Sequence, residues 1–116
     1  MSDSVYPNSS PRLSEQRRAL APETEKAFQA FSHQVFADGA LAVKVKQLIA
    51  VAVAHVTQCP YCIRGHTKSA LRHGATPEEI MEAIWVAAEM RAGGAYAHAA
   101  VALAAMQEGH PDQGGG

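Results

Sequence analysis

The sequence predicts an all-α protein. Three observations carry that prediction. Apolar residues recur at three- and four-residue spacing, prolines and glycines stand where helices start and stop, and no run shows the clean alternation of a strand. Residues 1–11 hold several Ser, Pro and Asn with no apolar period, and read as a flexible arm that a neighbouring subunit would order. A helical domain over 12–108 follows, then a tail, 109–116, expected to be disordered. From Pro22 the pattern turns helical through Ala27, Phe28, Phe31, Val35 and Phe36, and Asp38-Gly39 is expected to end that helix. The next stretch, LAVKVKQLIAVAVAHVTQ, is rich in valine but too long for one strand, and its alanines favour helix. Beyond Gln47 it is apolar on every side until His55, so a helix here must be covered on every side. In so short a chain that points to burial by other subunits.

Cys59-Pro60 opens another helix, since proline at the first helical position has a preset φ and no amide hydrogen to leave unpaired. It is expected to run to His73 and stop at Gly74. ATPEE follows, with Thr76 as N-cap, Pro77 at the first position and Glu79 at the third, the spacing of a capping box. Ile80, Ile84, Trp85 and Ala88 line one face up to Arg91. Gly93-Gly94 is expected to break the chain before a last alanine-rich helix, Ala95 to Gln107. There is no internal repeat.

Composition narrows the function classes. The chain has 116 residues, the length of one domain, and is 47% hydrophobic and 18% charged, as in ordinary globular proteins. Ten Lys and Arg against eleven Asp and Glu leave a net charge of −1, with no basic surplus to neutralise phosphates. Nucleic-acid partners are not expected. Neither is a membrane span, for want of a long apolar run, nor a secretory signal at the N-terminus. A cytoplasmic location is the expectation, and there a C-x-x-C pair is more often catalytic or metal-binding than a structural staple.

The chemistry-bearing motif is QCPYCIRGH, residues 58–66. On a helix starting near Cys59, residues 59, 62 and 66 share a face, and Cys62 and His66 are i, i+4 neighbours. Cys59 would sit at the helix N-terminus, where free amides and the dipole favour a thiolate. A polarised thiol, a second thiol and a base are the parts of a dithiol redox centre. Two alternatives stand beside that reading. The thiols could simply be packed. Zinc could be held by Cys59, Cys62 and His66, with His55 or His73 completing the four ligands a structural site needs. CPYC also occurs in glutaredoxins, but near the N-terminus and after a strand, whereas here half the chain precedes it and the flanks are helical.

The segment KVKQLIAVAVAHVTQCPYCIRGHTKSALRHGATPEEIMEAIWVAAEMRAGGAYAH, residues 44–98, resembles the core of the alkylhydroperoxidase D and carboxymuconolactone decarboxylase superfamily. The resemblance implies an alkylhydroperoxidase-D-like bundle of about five to six helices that is an obligate oligomer, a homotrimer or homohexamer. It implies a thiol-dependent peroxidase or disulfide reductase acting on a small hydroperoxide. No cofactor is implied beyond the Cys59–Cys62 dithiol, and no metal. The reductant would be a dithiol electron donor or a peroxiredoxin. By the same resemblance Cys62 is the peroxidatic cysteine, Cys59 the more exposed resolving one, and His66 the proton relay. The helix-dipole argument alone favours Cys59 as nucleophile.

Twelve residues before the first cysteine, where the family carries a glutamate, stands Gln47. An amide orients a partner but holds no charge at neutral pH. Glu82 and Glu89 on the following helix are candidates to substitute for it. Two further functions stay open: a decarboxylase-like enzyme, which needs no cysteine pair, and a non-catalytic adaptor passing electrons to a peroxiredoxin. Of the rest, Arg64, Lys68 and Arg72 form a cationic ridge, read as a solvated face or a surface for an acidic partner. Gly65 is expected to admit a close-packed helix, His55 to line the pocket as readily as not, and Trp85, Tyr96 and His98 to serve core or subunit contacts.

Overall fold

The computed structural model describes residues 5–8 and 10–109. Five helices follow one another: α1 Pro11–Leu20, α2 Pro22–Val35, α3 Val43–Thr57, α4 Pro60–Arg72 and α5 Pro77–Glu108. No strand occurs among the described residues. The expectations for residues 1–4, 9 and 110–116 in the arm and tail lie outside the described residues.

Helix starts follow the local chemistry. Ser10 caps α1 by accepting the Leu13 amide, with Pro11 at the first position. α1 does not show in the apolar pattern because, beyond Pro11, only Leu13, Ala19 and Leu20 are apolar; its cap and its proline define it. α2 ends at Val35, three residues before Asp38, whose role is different. The Asp38 carboxylate accepts the Val43 amide (2.9 Å), one of the unpaired donors at the start of α3. Lys46 closes the other side of this connection by donating to the Val35 and Ala37 carbonyls at the end of α2.

The Thr76 capping box forms in full. Thr76 Oγ1 accepts from the Glu79 amide (3.1 Å), and the Glu79 carboxylate accepts from the Thr76 amide (2.9 Å). Glu79 also pairs with Lys44 Nζ at 3.0 Å, tying the start of α5 to α3. These hydrogen bonds and the ammonium hold its carboxyl below the usual value, the Thr76 backbone contact being the largest cause.

Gly93-Gly94 does not break the chain: α5 is one helix of 32 residues. Each glycine costs a helix about 1 kcal/mol against alanine, but the pair is flanked by alanines and other strong helix formers that carry the hydrogen-bond ladder through.

The core is small. Val51, Ala70, Ala75 and Ile80 form its buried centre, with Leu48 and Ile84 packed against it, where α3 meets α4 and α5. α1 packs on α2 alone, and neither lays its length on the other three helices. The radius of gyration is 20.7 Å, against roughly 13–14 Å for a compact chain of this size. Ile49, Val53 and Val56 on α3, and Trp85, Met90, Val101, Leu103 and Met106 on α5, all stand exposed. Trp85 (65% exposed) and Tyr96 (84%) are therefore not core residues of the single chain. No helix among the described residues is long and apolar enough to cross a membrane.

Candidate functional site

The turn between α3 and α4 sets the position of the cysteines. Gln58 adopts the left-handed conformation (φ 62°), costly for a residue with a Cβ by roughly 1–2 kcal/mol. Three contacts hold it there. The Gln58 amide donates to Ala54 O (2.9 Å), its side chain donates to His55 O (3.2 Å), and Arg91 from α5 donates to Val56 O (3.0 Å). The chain thus reverses in one residue and presents Cys59 as the N-cap of α4.

Cys59 and Cys62 are joined by a disulfide, with Cα atoms 5.3 Å apart, inside the usual range for such bridges. Cys59 Sγ also accepts the Cys62 amide (3.2 Å), so a sulfur occupies the place a serine oxygen takes at most helix starts. In the reduced protein the same amide and the dipole of α4 would stabilise a Cys59 thiolate. Both cysteines are half-buried.

One turn beyond Cys62, His66 is held from two sides. Its Nδ1–H donates to Gln47 Oε1 (2.7 Å), and its ring stacks on Phe36 with centroids 5.1 Å apart and planes 26° from parallel. Gln47 is only 5% exposed and is the buried polar side chain of α3. With the amide oxygen as acceptor, Nδ1 carries the proton and Nε2 keeps its lone pair, the form a general base needs. A cleft of about 620 Å³ opens here, lined by Cys62, His66, Gln47, Tyr61, Phe36 and His33 among others.

Cys59, Cys62, His66 and Gln47 are thus brought together across the α3–α4 contact. Glu82 and Glu89 are exposed and do not line this cleft, so neither stands in for the missing carboxylate. His55 binds its own Val51 carbonyl (2.7 Å) and lines a different groove, beside Pro60. Gly65 does not receive a neighbouring helix: a Cβ there would meet nothing within 4 Å, and the residue borders the open cleft instead. His98 lies exposed on α5, bonded to Gly94 O. Among the described residues no three His, Cys, Asp or Glu side chains form a group that could hold a metal ion.

Phe36 and Tyr61 are the participants that periodicity does not reveal as such. Phe36 reads as part of the α2 apolar stripe, and only the fold carries it to His66. Tyr61, inside the motif, donates its hydroxyl to Pro7 O (2.8 Å) and meets the ring of Tyr6 edge-on, so residues of the N-terminal segment dock beside Cys62.

A helical chain with a C-x-x-C disulfide at a helix start, and a histidine fixed one turn on, defines a class of small α-helical thiol proteins. Its family follows from comparison: the model of the carboxymuconolactone decarboxylase family matches residues 22–106, and the chain belongs to that family. It is 64% identical over 108 residues to a Paracoccus denitrificans protein named as uncharacterized protein 4 in the cox locus, a match covering 93% of this chain and 96% of the other. A crystal structure of a carboxymuconolactone decarboxylase family protein from Legionella pneumophila is similar with TM-score 0.66 and 36% identity, over 84% of this chain and 87% of that one. A third, from Thermotoga maritima, is described as a family protein with a possible part in an antioxidative response. It matches with TM-score 0.53 and 36% identity over 55% of this chain and 66% of that one.

Proposed function

We propose that this protein is a thiol–disulfide oxidoreductase that consumes a small hydroperoxide and is re-reduced by a dithiol. The observation that carries the reading is the Cys59–Cys62 disulfide beside a histidine whose base-competent tautomer is set by buried Gln47. The described association of the Thermotoga relative with an antioxidative response supports it. The cleft that holds Cys62 and His66 gives the peroxide a place to bind.

In the proposed cycle His66 Nε2 takes the Cys62 proton, and the thiolate attacks one peroxide oxygen. The O–O bond breaks, the leaving oxygen departs as alcohol or water with a proton returned by His66, and Cys62 becomes a sulfenic acid. Cys59 then attacks that sulfur, expelling water and closing the disulfide. A dithiol donor opens it again by exchange and leaves oxidised. Cys59 is the resolving cysteine in this scheme and Gln47 a positioning residue.

The working unit is proposed to be a homotrimer or homohexamer. The expanded radius and the exposed apolar residues on α3 and α5 support association, since so large an uncovered apolar surface is uncommon on a monomer.

The test is to titrate thiols with and without peroxide in Cys59→Ser and Cys62→Ser. Cys59→Ser is expected to accumulate a sulfenic acid on Cys62, and Cys62→Ser to consume no peroxide. If the Cys59 thiol alone is oxidised, the roles are reversed; if neither thiol reacts, the reading fails.

A further inference from the structure

On the far side of the α3–α4 turn from the Cys62 cleft lies a second groove, of about 720 Å³. Its lining includes Gln58 and Pro60, the two residues that flank Cys59, together with His55, Ile63, Arg64 and Lys68. The proposed cycle has so far used only the first cleft. The second is lined by both chain neighbours of Cys59, the cysteine that does not line the first.

Its chemistry is one-sided. Arg64 and Lys68 are exposed and stand at i, i+4 on α4, where side chains are neighbours. Neither makes an ion pair or side-chain hydrogen bond among the described residues, and no Asp or Glu lines the groove. Like charges at this spacing destabilise each other, and an anion shared between them relieves that repulsion. Pro60 and Ile63 supply an apolar floor beside the two cations. The volume falls in the range of small-molecule sites rather than of a protein-sized face.

We infer that this groove receives the reductant, and that the reductant is a small dithiol bearing carboxylates, seated on Arg64 and Lys68 with a sulfur against Cys59. This rests on the thiol–disulfide reading above. The donor thiolate attacks Cys59 Sγ, the Cys59–Cys62 bond breaks, and its electron pair leaves on Cys62. The donor's second thiol gives its proton to the Cys62 thiolate and attacks the donor sulfur bound to Cys59. The donor closes its own disulfide, and the Cys59 thiolate takes up the proton released by the first donor thiol. Two electrons and two protons pass to the protein, and oxidant and reductant approach from opposite sides of α4.

The test uses two 1,4-dithiols that each close a six-membered disulfide, 2,5-dimercaptoadipate (two carboxylates) and uncharged dithiothreitol, and measures by stopped flow how fast each opens the oxidised protein. The quantity read is the ratio of the two rate constants, which cancels any general effect of a substitution on the disulfide. In Arg64→Gln/Lys68→Gln the ratio is expected to fall about tenfold, and in wild type it should fall as salt is raised from 20 to 500 mM. Arg72→Gln, on the same ridge but outside the groove, should leave it in place. A ratio within twofold of wild type in the double variant, with both dithiols still opening the disulfide, overturns the inference and leaves the thiol–disulfide reading standing. If neither dithiol opens the disulfide, both fall.

Discussion

Replacing Gln47 by glutamate restores the acid that the resemblance calls for, at a position whose surroundings are defined. Gln47 Oε1 sits 2.7 Å from His66 Nδ1, so a carboxylate built on the same side chain would accept the same proton without rearrangement. A neutral hydrogen bond contributes about 1 kcal/mol, and one to a charged group about 1.5–3 kcal/mol. The difference appears when His66 takes the Cys62 proton and becomes a cation, and it lowers the cost of forming the thiolate. Set against it, the site is 95% covered, and burial disfavours the carboxylate itself. A net gain of about 1 kcal/mol remains, roughly a fivefold increase in peroxide turnover. The assay is peroxide consumption at saturating dithiol in wild type, Gln47→Glu and Gln47→Leu, each checked for helicity and assembly. Gln47→Leu should fall below wild type, because it leaves the Nδ1–H unpaired and the ring free to turn. A Gln47→Glu rate equal to or below that of wild type, in a protein of unchanged fold, would refute the claim that the relay is limited by its missing acid.

Two further outcomes test the frame that carries the site. Changing Gly93 and Gly94 to alanine should stabilise α5 by about 1 kcal/mol each. A Cβ at Gly93 meets only the flexible end of Glu89, at 3.6 Å, and one at Gly94 meets nothing; a lower thermal midpoint would show that the pair serves a bend or an intersubunit contact instead. The Glu79 carboxyl is held below its ordinary value of 4.5, so it contributes stability above that pH that is lost as pH falls through the lowered folded value. Unfolding of Glu79→Gln should accordingly lose part of the wild-type acid sensitivity below about pH 4.5, and an unchanged acid limb would remove the Thr76–Lys44 cluster from the account.

Where the sequence was informative, local chemistry was decisive. The starts of α2, α4 and α5 follow from Pro22, Pro60 and Thr76-Pro77, and the class from the apolar spacing, because caps and periods act over four residues or fewer. α1 is not legible for a matching reason: Ser10-Pro11 carries the same kind of cap, but Leu13, Ala19 and Leu20 are too few apolar residues to make a stripe. Gly93-Gly94 misled because a propensity is a weak prior, and a long helix rich in alanine outweighs it. At the site, Cys59, Cys62 and His66 share one helix, so their grouping could be read from spacing. Gln47 enters through resemblance alone, and Phe36 and the left-handed Gln58 are not legible, since the contact of Phe36, just past the end of α2, with His66 and a one-residue reversal are tertiary facts.

The two arguments about the nucleophile, which disagree when only the sequence is considered, describe different ends of one disulfide. The amide of Cys62 and the N-terminus of α4 favour negative charge on Cys59. The base, held by Gln47 and Phe36, shares its cleft with Cys62. A site with only the first feature would behave as a dithiol exchanger; one with only the second would oxidise but have no stabilised thiolate to resolve it. With both, the proposed cycle activates each sulfur by a different means, Cys62 by proton removal and Cys59 by helix-end charge. Separate activation allows separate approach, the peroxide through the cleft of Cys62 and the reductant from the groove beside Cys59. On that basis neutralising Arg64 and Lys68 should slow re-reduction and spare sulfenic-acid formation, while Gln47→Leu should do the reverse.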